Sequence, residues 1–223
     1  MSARVVALHG FLGRGADWDA VREASRAGLD WCCPDLFAPG TEDWLEECVR
    51  GGKAWLAGYS LGARLALRLL AGEPDRWHGA LLLSVDPGNF FTDAGRDERR
   101  ESDELWAVAF RAEPWDGLME RWNAQPVFGG SVPPQRREGD FDRRKLARAL
   151  AESSVAGQFT DPLRLGGKLA WLAGARDEKF RRLLDAMRNA GFPGVFSLVP
   201  GAGHRLLQDA PAQVAEALDR LIA

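Results

Sequence analysis

The stretch Leu56-Ala57-Gly58-Tyr59-Ser60-Leu61-Gly62-Ala63-Arg64 constrains this chain more than any other. It sets Gly-x-Ser-x-Gly between an apolar run and an amphipathic one, the pattern of a strand, a sharp turn and a helix with Ser60 at the turn. Such a turn strains the serine backbone, and only small neighbours leave the room it needs; Gly58 and Gly62 do so. It lifts the hydroxyl clear of the sheet and puts it at a helix N-terminus, where backbone N–H groups favour developing negative charge. Alone the motif is a weak signal. Its weight here comes from its flanks and from two distant partners.

The flanks belong to a longer alternation. Val5 to His9 reads as a buried strand stopped by Gly10. Trp18 to Ala27 reads as a helix with Trp18 and Val21 inward, and Leu29 to Cys33 as a second strand closed by Pro34. Asp43 to Val49 is a short helix, and Lys53 to Ala57 is the strand that enters the turn. Leu61, Leu65 and Leu69, with Ala66 and Leu70, give the helical stripe that follows. Ala80 to Val85, Lys168 to Ala173 and Gly194 to Val199 are further strands. Phe180, Leu183, Leu184 and Met187 mark a helix face, and Val214 to Ile222 a closing helix after Pro211. Strands alternating with helices predict an α/β fold, a mostly parallel sheet covered on both faces. Residues 87–166 break the rhythm: they lack apolar strand runs, are rich in charge, and carry Trp115, Leu118, Met119 and Trp122 at helical spacing. They read as a helical cap inserted into a core of residues 1–86 and 167–223, with 129–139 as a polar loop inside it.

At 223 residues, 46% hydrophobic and 27% charged, the chain has enough apolar material for one sizeable core. A net charge of −3 argues against a nucleic-acid surface. No apolar stretch is long enough to cross a bilayer. Without a signal-like apolar segment near Met1, a cytoplasmic location is the expectation. Three cysteines, Cys32 and Cys33 adjacent, read as buried small side chains and not as a disulfide framework or a zinc site.

A serine hydroxyl needs a histidine to become a nucleophile or a base relay. Of three histidines, His204 follows the last strand in the flexible Pro200-Gly201-Ala202-Gly203, on the same sheet edge as Ser60. His78 precedes a strand at the opposite edge, and His9 reads as a structural hydrogen-bonder. The acid should follow a strand between them. Asp177, after Ala173-Gly174-Ala175-Arg176, fits best; Asp86 is the alternative, and Asp177 also fits as the cap of the next helix. Leu8-His9-Gly10-Phe11-Leu12-Gly13 has the form of an oxyanion loop, with the N–H groups of Phe11 and Leu61 as the two donors. No metal cluster, phosphate loop or dinucleotide fingerprint is present, so no metal and no cofactor are expected.

Together these motifs resemble the α/β-hydrolase superfamily over the whole length, beginning at the strand that leads into the oxyanion loop. Within it the chain resembles the 2-succinyl-6-hydroxy-2,4-cyclohexadiene-1-carboxylate synthase family of menaquinone biosynthesis. The resemblance rests on the two motifs above and on Glu98-Arg99-Arg100-Glu101-Ser102-Asp103 up to Trp106. It continues in Trp122-Asn123-Ala124-Gln125-Pro126-Val127-Phe128, Gly174 to Phe180, and Gly201-Ala202-Gly203-His204. It departs at Ala63, where the family has glycine, and at Asp35-Leu36-Phe37-Ala38-Pro39-Gly40, where the family reads Asp-Leu-Pro-Gly-His-Gly.

The resemblance implies a lyase that removes a ring proton beside a ketone and expels pyruvate from a small substrate bearing three carboxylates. Ser60, His204 and Asp177 would act as the base and the oxyanion hole would hold the enolate. Arg64, one helical turn beyond Ser60, Arg99, and one of Arg143 or Arg144 would take carboxylates. Tyr59 flanks the serine, and Trp122 and Gln125 are either pocket wall or plain cap packing. The rival readings are a serine hydrolase on the same scaffold (an esterase, a thioesterase or a carbon–carbon bond hydrolase) and a non-catalytic binding protein. A cationic pocket, with Arg64 and Arg99 facing the serine, favours the lyase over a hydrolase of neutral esters, and an intact triad disfavours the binding protein.

Overall fold

The computed structural model describes residues 2–40, 44–49 and 52–223. Six strands form one sheet: β1 Arg4–Leu8, β2 Asp30–Cys32, β3 Ala54–Tyr59, β4 Trp77–Leu83, β5 Lys168–Gly174 and β6 Val195–Val199. Their order is β2-β1-β3-β4-β5-β6, and every neighbouring pair runs parallel. The chain winds one way from β1 to β2, then crosses back to β3 and continues the other way. The crevice where the winding reverses, at the carboxyl ends of β1 and β3, is where open α/β sheets bind ligands.

The helices are α1 Asp19–Ala24, α2 Trp44–Cys48, α3 Leu61–Gly72, α4 Asp93–Ala112, α5 Trp115–Asn123, α6 Arg143–Glu152, α7 Glu178–Asn189, α8 Leu206–Asp209 and α9 Pro211–Ile222. Alternate residues of the strands feed two cores. Val6, Leu8, Leu56, Ala80, Leu82 and Trp171 face one side with residues of α3 and α7. Val5, Ala7, Ala57, Leu81, Leu83 and Leu172 face the other with residues of α1 and α9. Strands buried on both faces read as the unbroken apolar runs seen in the sequence. Between β4 and β5 the chain leaves the sheet and forms α4, α5 and α6. Phe110, Trp115, Leu118, Phe141 and Leu146 make a third cluster there, which reaches the core through Leu12, Phe37 and Leu61.

Several expected elements differ at their ends. The helix expected over 18–27 is a 3-10 turn, Gly15–Trp18, followed by six residues of α1, because Ser25 bonds back to Val21 and the chain then extends. β4 begins three residues before the expected strand, so His78 lies inside it, exposed, at the edge away from Ser60. Of the short helix expected over 43–49, residue Asp43 lies outside the described residues. β6 is an edge strand, and Val195 and Leu198 are exposed.

The cysteine reading needs a correction. Cys32, at the end of β2, and Cys48, at the end of α2, form a disulfide with their Cα atoms 5.5 Å apart. They lie 16 positions apart in the sequence, and it is the packing of α2 against the sheet beside β2 that brings them together. Cys33 stays free and half-buried, and burial pushes its thiol up to about 11. No helix among the described residues is long and apolar enough to cross a membrane.

Candidate active site

Ser60 stands between β3 and α3 with φ 53° and ψ −109°, a strained conformation for a residue with a side chain. The strain is held by close packing. A Cβ on Gly62 would meet the carbonyl oxygen of Leu8 at 2.1 Å, and one on Gly58 would meet the Ala63 backbone at 2.5 Å. Ser60 N donates to Leu83 O at 2.9 Å, anchoring the turn on β4. β1 and β3 pair with Leu8 opposite Gly58. Phe11 and Leu61 therefore follow neighbouring strands, and both line the cavity that Ser60 faces.

His204 lies beyond β6 and is buried. Its Nδ1 is 2.8 Å from Asp177 Oδ2. A carboxylate oxygen accepts, so Nδ1 carries the proton and Nε2 is left as the basic nitrogen. Rings of Phe180, Tyr59 and Phe128 surround the imidazole, with centroids 4.6, 5.5 and 5.7 Å away. Asp177 does both things the sequence allowed: its Oδ1 also accepts from Phe180 N at 3.2 Å and caps α7. The alternative acid, Asp86, is buried but turned elsewhere; it accepts from Gly88 N at 3.0 Å and lies 3.8 Å from Lys179 Nζ.

His9 is structural. Leu36 N donates to its Nε2 at 2.9 Å, so Nδ1 holds the hydrogen and donates to Gly10 O at 2.8 Å. Burial pulls its pKa down to about 4 against weaker opposing effects of the Gly10 carbonyl, Asp17 and Asp35. The neutral ring therefore braces the loop between β1 and α1 against the loop after β2.

The cavity in front of Ser60 and His204 measures about 280 Å³. Arg64, Arg99, Trp122 and Gln125 line it as expected. Arg64 is half-buried, and burial, followed by repulsion from Arg99, pulls its pKa down to about 10. Its Nη1 donates to Ser153 O. No carboxylate among the described residues pairs with it. Arg99 Nε donates to the buried Asp103 at 2.9 Å.

Three expectations are not met. Arg143 points into the helical insertion: its Nε donates to Phe110 O at 2.5 Å and its Nη2 to Glu113 O at 2.6 Å, while Nη1 reaches Glu138 Oε1 at 2.8 Å. Arg144 lies on the exposed face of α6. Neither reaches the cavity, because α6 turns Leu150, Ala149 and the residues after its end toward it instead. Tyr59 is buried, and burial raises its pKa. It lines a smaller neighbouring cavity and not the one in front of Ser60. The structure adds Lys179 and Asp103 to the lining. Both stood in the motifs quoted above, but helix phase alone did not show which side chains turn inward.

The chain matches the model of the alpha/beta hydrolase family over residues 5–217 and belongs to that family. Within it the chain is 31% identical to the 2-succinyl-6-hydroxy-2,4-cyclohexadiene-1-carboxylate synthase of Escherichia coli O1:K1 / APEC, over 98% of this chain and 93% of that one. It is 29% identical to the synthase of the same name from Klebsiella pneumoniae, with the same coverage. Among solved structures, MenH from S. aureus superposes with a TM-score of 0.82 at 20% identity, covering 100% of this chain and 94% of that one. A thermophilic esterase from Thermogutta terrifontis superposes with a TM-score of 0.74 at 20% identity, covering 100% and 90%. At that identity both structures speak for the fold.

Proposed function

We propose that this protein is a carbon–oxygen lyase that eliminates pyruvate from 2-succinyl-5-enolpyruvyl-6-hydroxy-3-cyclohexene-1-carboxylate, giving 2-succinyl-6-hydroxy-2,4-cyclohexadiene-1-carboxylate in menaquinone biosynthesis. The observation that carries this reading is the charge around the reacting groups. Arg64, Arg99 and Lys179 line the cavity of Ser60 and His204, against one acid, Asp103. A neutral ester would leave the half-buried Arg64 without a carboxylate, whereas a substrate with three carboxylates supplies its partner. The names of the curated relatives point the same way.

In the proposed reaction Ser60 Oγ, with its own proton passed to His204 Nε2, takes the ring proton beside the succinyl ketone. Asp177 holds the imidazolium that forms. The ketone oxygen gains the charge, and the N–H groups of Phe11 and Leu61 stabilise that enolate. Its electron pair moves through the ring double bond and breaks the bond to the enolpyruvyl oxygen. The leaving group departs as the enolate of pyruvate and takes a proton at carbon to become the keto acid. No water is consumed, and the protein's own groups perform the chemistry without a cofactor.

The test is release of pyruvate from the enolpyruvyl substrate, generated in place and followed with a coupled dehydrogenase, beside a Ser60→Ala control. Serine-dependent release above the spontaneous rate is expected. Turnover of simple aryl esters with no pyruvate released would make the protein a serine hydrolase instead.

A further inference from the structure

Behind the wall formed by Phe11, Trp122 and Phe128 lies a second cavity of about 40 Å³, which shares those three rings with the first. That is room for about three water-sized groups, the size of one carboxylate. Its polar lining is Arg136, Arg205, Tyr59, Asn123, Gln208 and Asp17.

Arg205 follows His204 directly and is 5% exposed. Its guanidinium donates to Asn123 Oδ1 and, at 3.3 Å, to Ser131 O, and lies 4.2 Å from the Phe128 ring centre. These partners are neutral, and no carboxylate among the described residues pairs with it. Asp209, which favours its charged form, is occupied: its Oδ2 accepts from Gly203 N at 2.7 Å and Ser131 Oγ at 2.6 Å. Arg136 carries the second guanidinium. Its Nη2 holds Asp17 at 2.7 and 2.8 Å, while its Nε is buried with no partner. Asp17 is further engaged by Arg14 N at 3.0 Å. Burial first, and then Arg136, lower the pKa of Arg205, while Tyr59 and Asp209 oppose them. Two guanidiniums thus face one small cavity with a single committed acid. A buried cation without an anion is costly, and a carboxylate between the two would relieve both.

We propose that the Arg205–Arg136 cavity is an anion subsite that takes one carboxylate. Its nearest source is an arm of the anionic substrate in the adjoining cavity, an assignment that rests on the proposed elimination. A free small carboxylate is the other source, and the chemistry of the subsite is the same for both.

The test titrates the wild-type protein with acetate at low ionic strength and follows arginine Nε–H resonances. Those of Arg205, Arg136 and Arg64 are identified by their loss in Arg205→Gln, Arg136→Gln and Arg64→Lys. The Arg205 and Arg136 signals should move together along one saturating curve. Movement confined to Arg64 and Arg99 would overturn the subsite. Arg205→Gln keeps a donor toward Asn123 and Ser131 while removing the charge. If the substrate's own arm is the occupant, this variant raises KM about tenfold or more and leaves kcat within about twofold. An unchanged KM with a saturating acetate response assigns the subsite to a free carboxylate. If the wild type releases no pyruvate the elimination fails, and the acetate titration still decides the subsite.

Discussion

Asp177 divides its carboxylate between two tasks: one oxygen accepts from His204 Nδ1 at 2.8 Å, and the other from Phe180 N at 3.2 Å at the start of α7. Holding the imidazole and capping the helix are therefore one arrangement. Asp177→Asn keeps an oxygen for the cap and turns an amide N–H toward Nδ1, which favours the wrong tautomer. Turnover should fall by about 10³–10⁴ with the melting temperature little changed. Asp177→Ala should lose activity and also about 1 kcal/mol of stability through the missing cap. Kinetics and urea unfolding on both variants separate the two tasks.

Arg64 and Arg143 should fail in opposite ways. Arg64→Ala removes a cation from the cavity and should raise KM about 10–100-fold. Arg143→Ala removes a guanidinium that satisfies backbone carbonyls inside the insertion. It should cost about 2–3 kcal/mol of stability at unchanged KM. A Michaelis constant that rises for Arg143→Ala would contradict its placement.

Gly62→Ala would drive a Cβ to 2.1 Å from Leu8 O and 2.5 Å from His9 O, both backbone atoms. β1 would have to retreat from α3, at a cost of at least about 1–3 kcal/mol, and the loop that carries Phe11 would move with it. A lowered urea midpoint together with lost turnover is expected.

His9 links stability to pH. Its folded pKa of about 4 lies below the ordinary 6.5. Above pH 6.5 both states are neutral at this ring and its contribution is complete. Between pH 6.5 and about 4 the unfolded chain binds a proton that the folded ring refuses, so stability falls as pH falls, by on the order of 3 kcal/mol. Below that window the loss levels off. Urea midpoints from pH 8 to pH 4 should show this fall, and His9→Gln should remove its share.

Thiol titration of the unfolded, unreduced protein should find Cys33 alone, and all three cysteines after reduction. Closing a loop of this length stabilises a domain by about 3 kcal/mol, so reductant should lower the melting temperature. Three thiols before reduction would refute the Cys32–Cys48 bond.

What was legible in the sequence was local. The turn at Ser60 needs its glycines wherever it occurs, and buried parallel strands must be apolar throughout, so the order of elements followed from pattern. That Ser60, Asp177 and His204 lie toward one edge of the sheet was readable because each falls within a few residues after a strand, and parallel strands bring their ends to one edge. The direction of Arg143 was not readable. It depends on how α6 rotates against Phe110 and Trp115, and helical periodicity permits either rotation. Cys32 and Cys48 meet through the packing of α2, which leaves no trace in their spacing. Lys179 lay inside a recognised motif, but only the docking of α7 turns it to the cavity.

Asp209 marks a seam. It grips Gly203 on the loop of His204 and Ser131 on the inserted segment with a single oxygen. Ser60, Asp177 and His204 follow strand ends, whereas Arg99, Trp122 and Gln125 come from the insertion, which makes that segment a natural unit to transplant between scaffolds. A transplant that brings no hydroxyl to the place of Ser131 would leave Asp209 half-engaged. It would then disturb the histidine loop without touching a single residue of it.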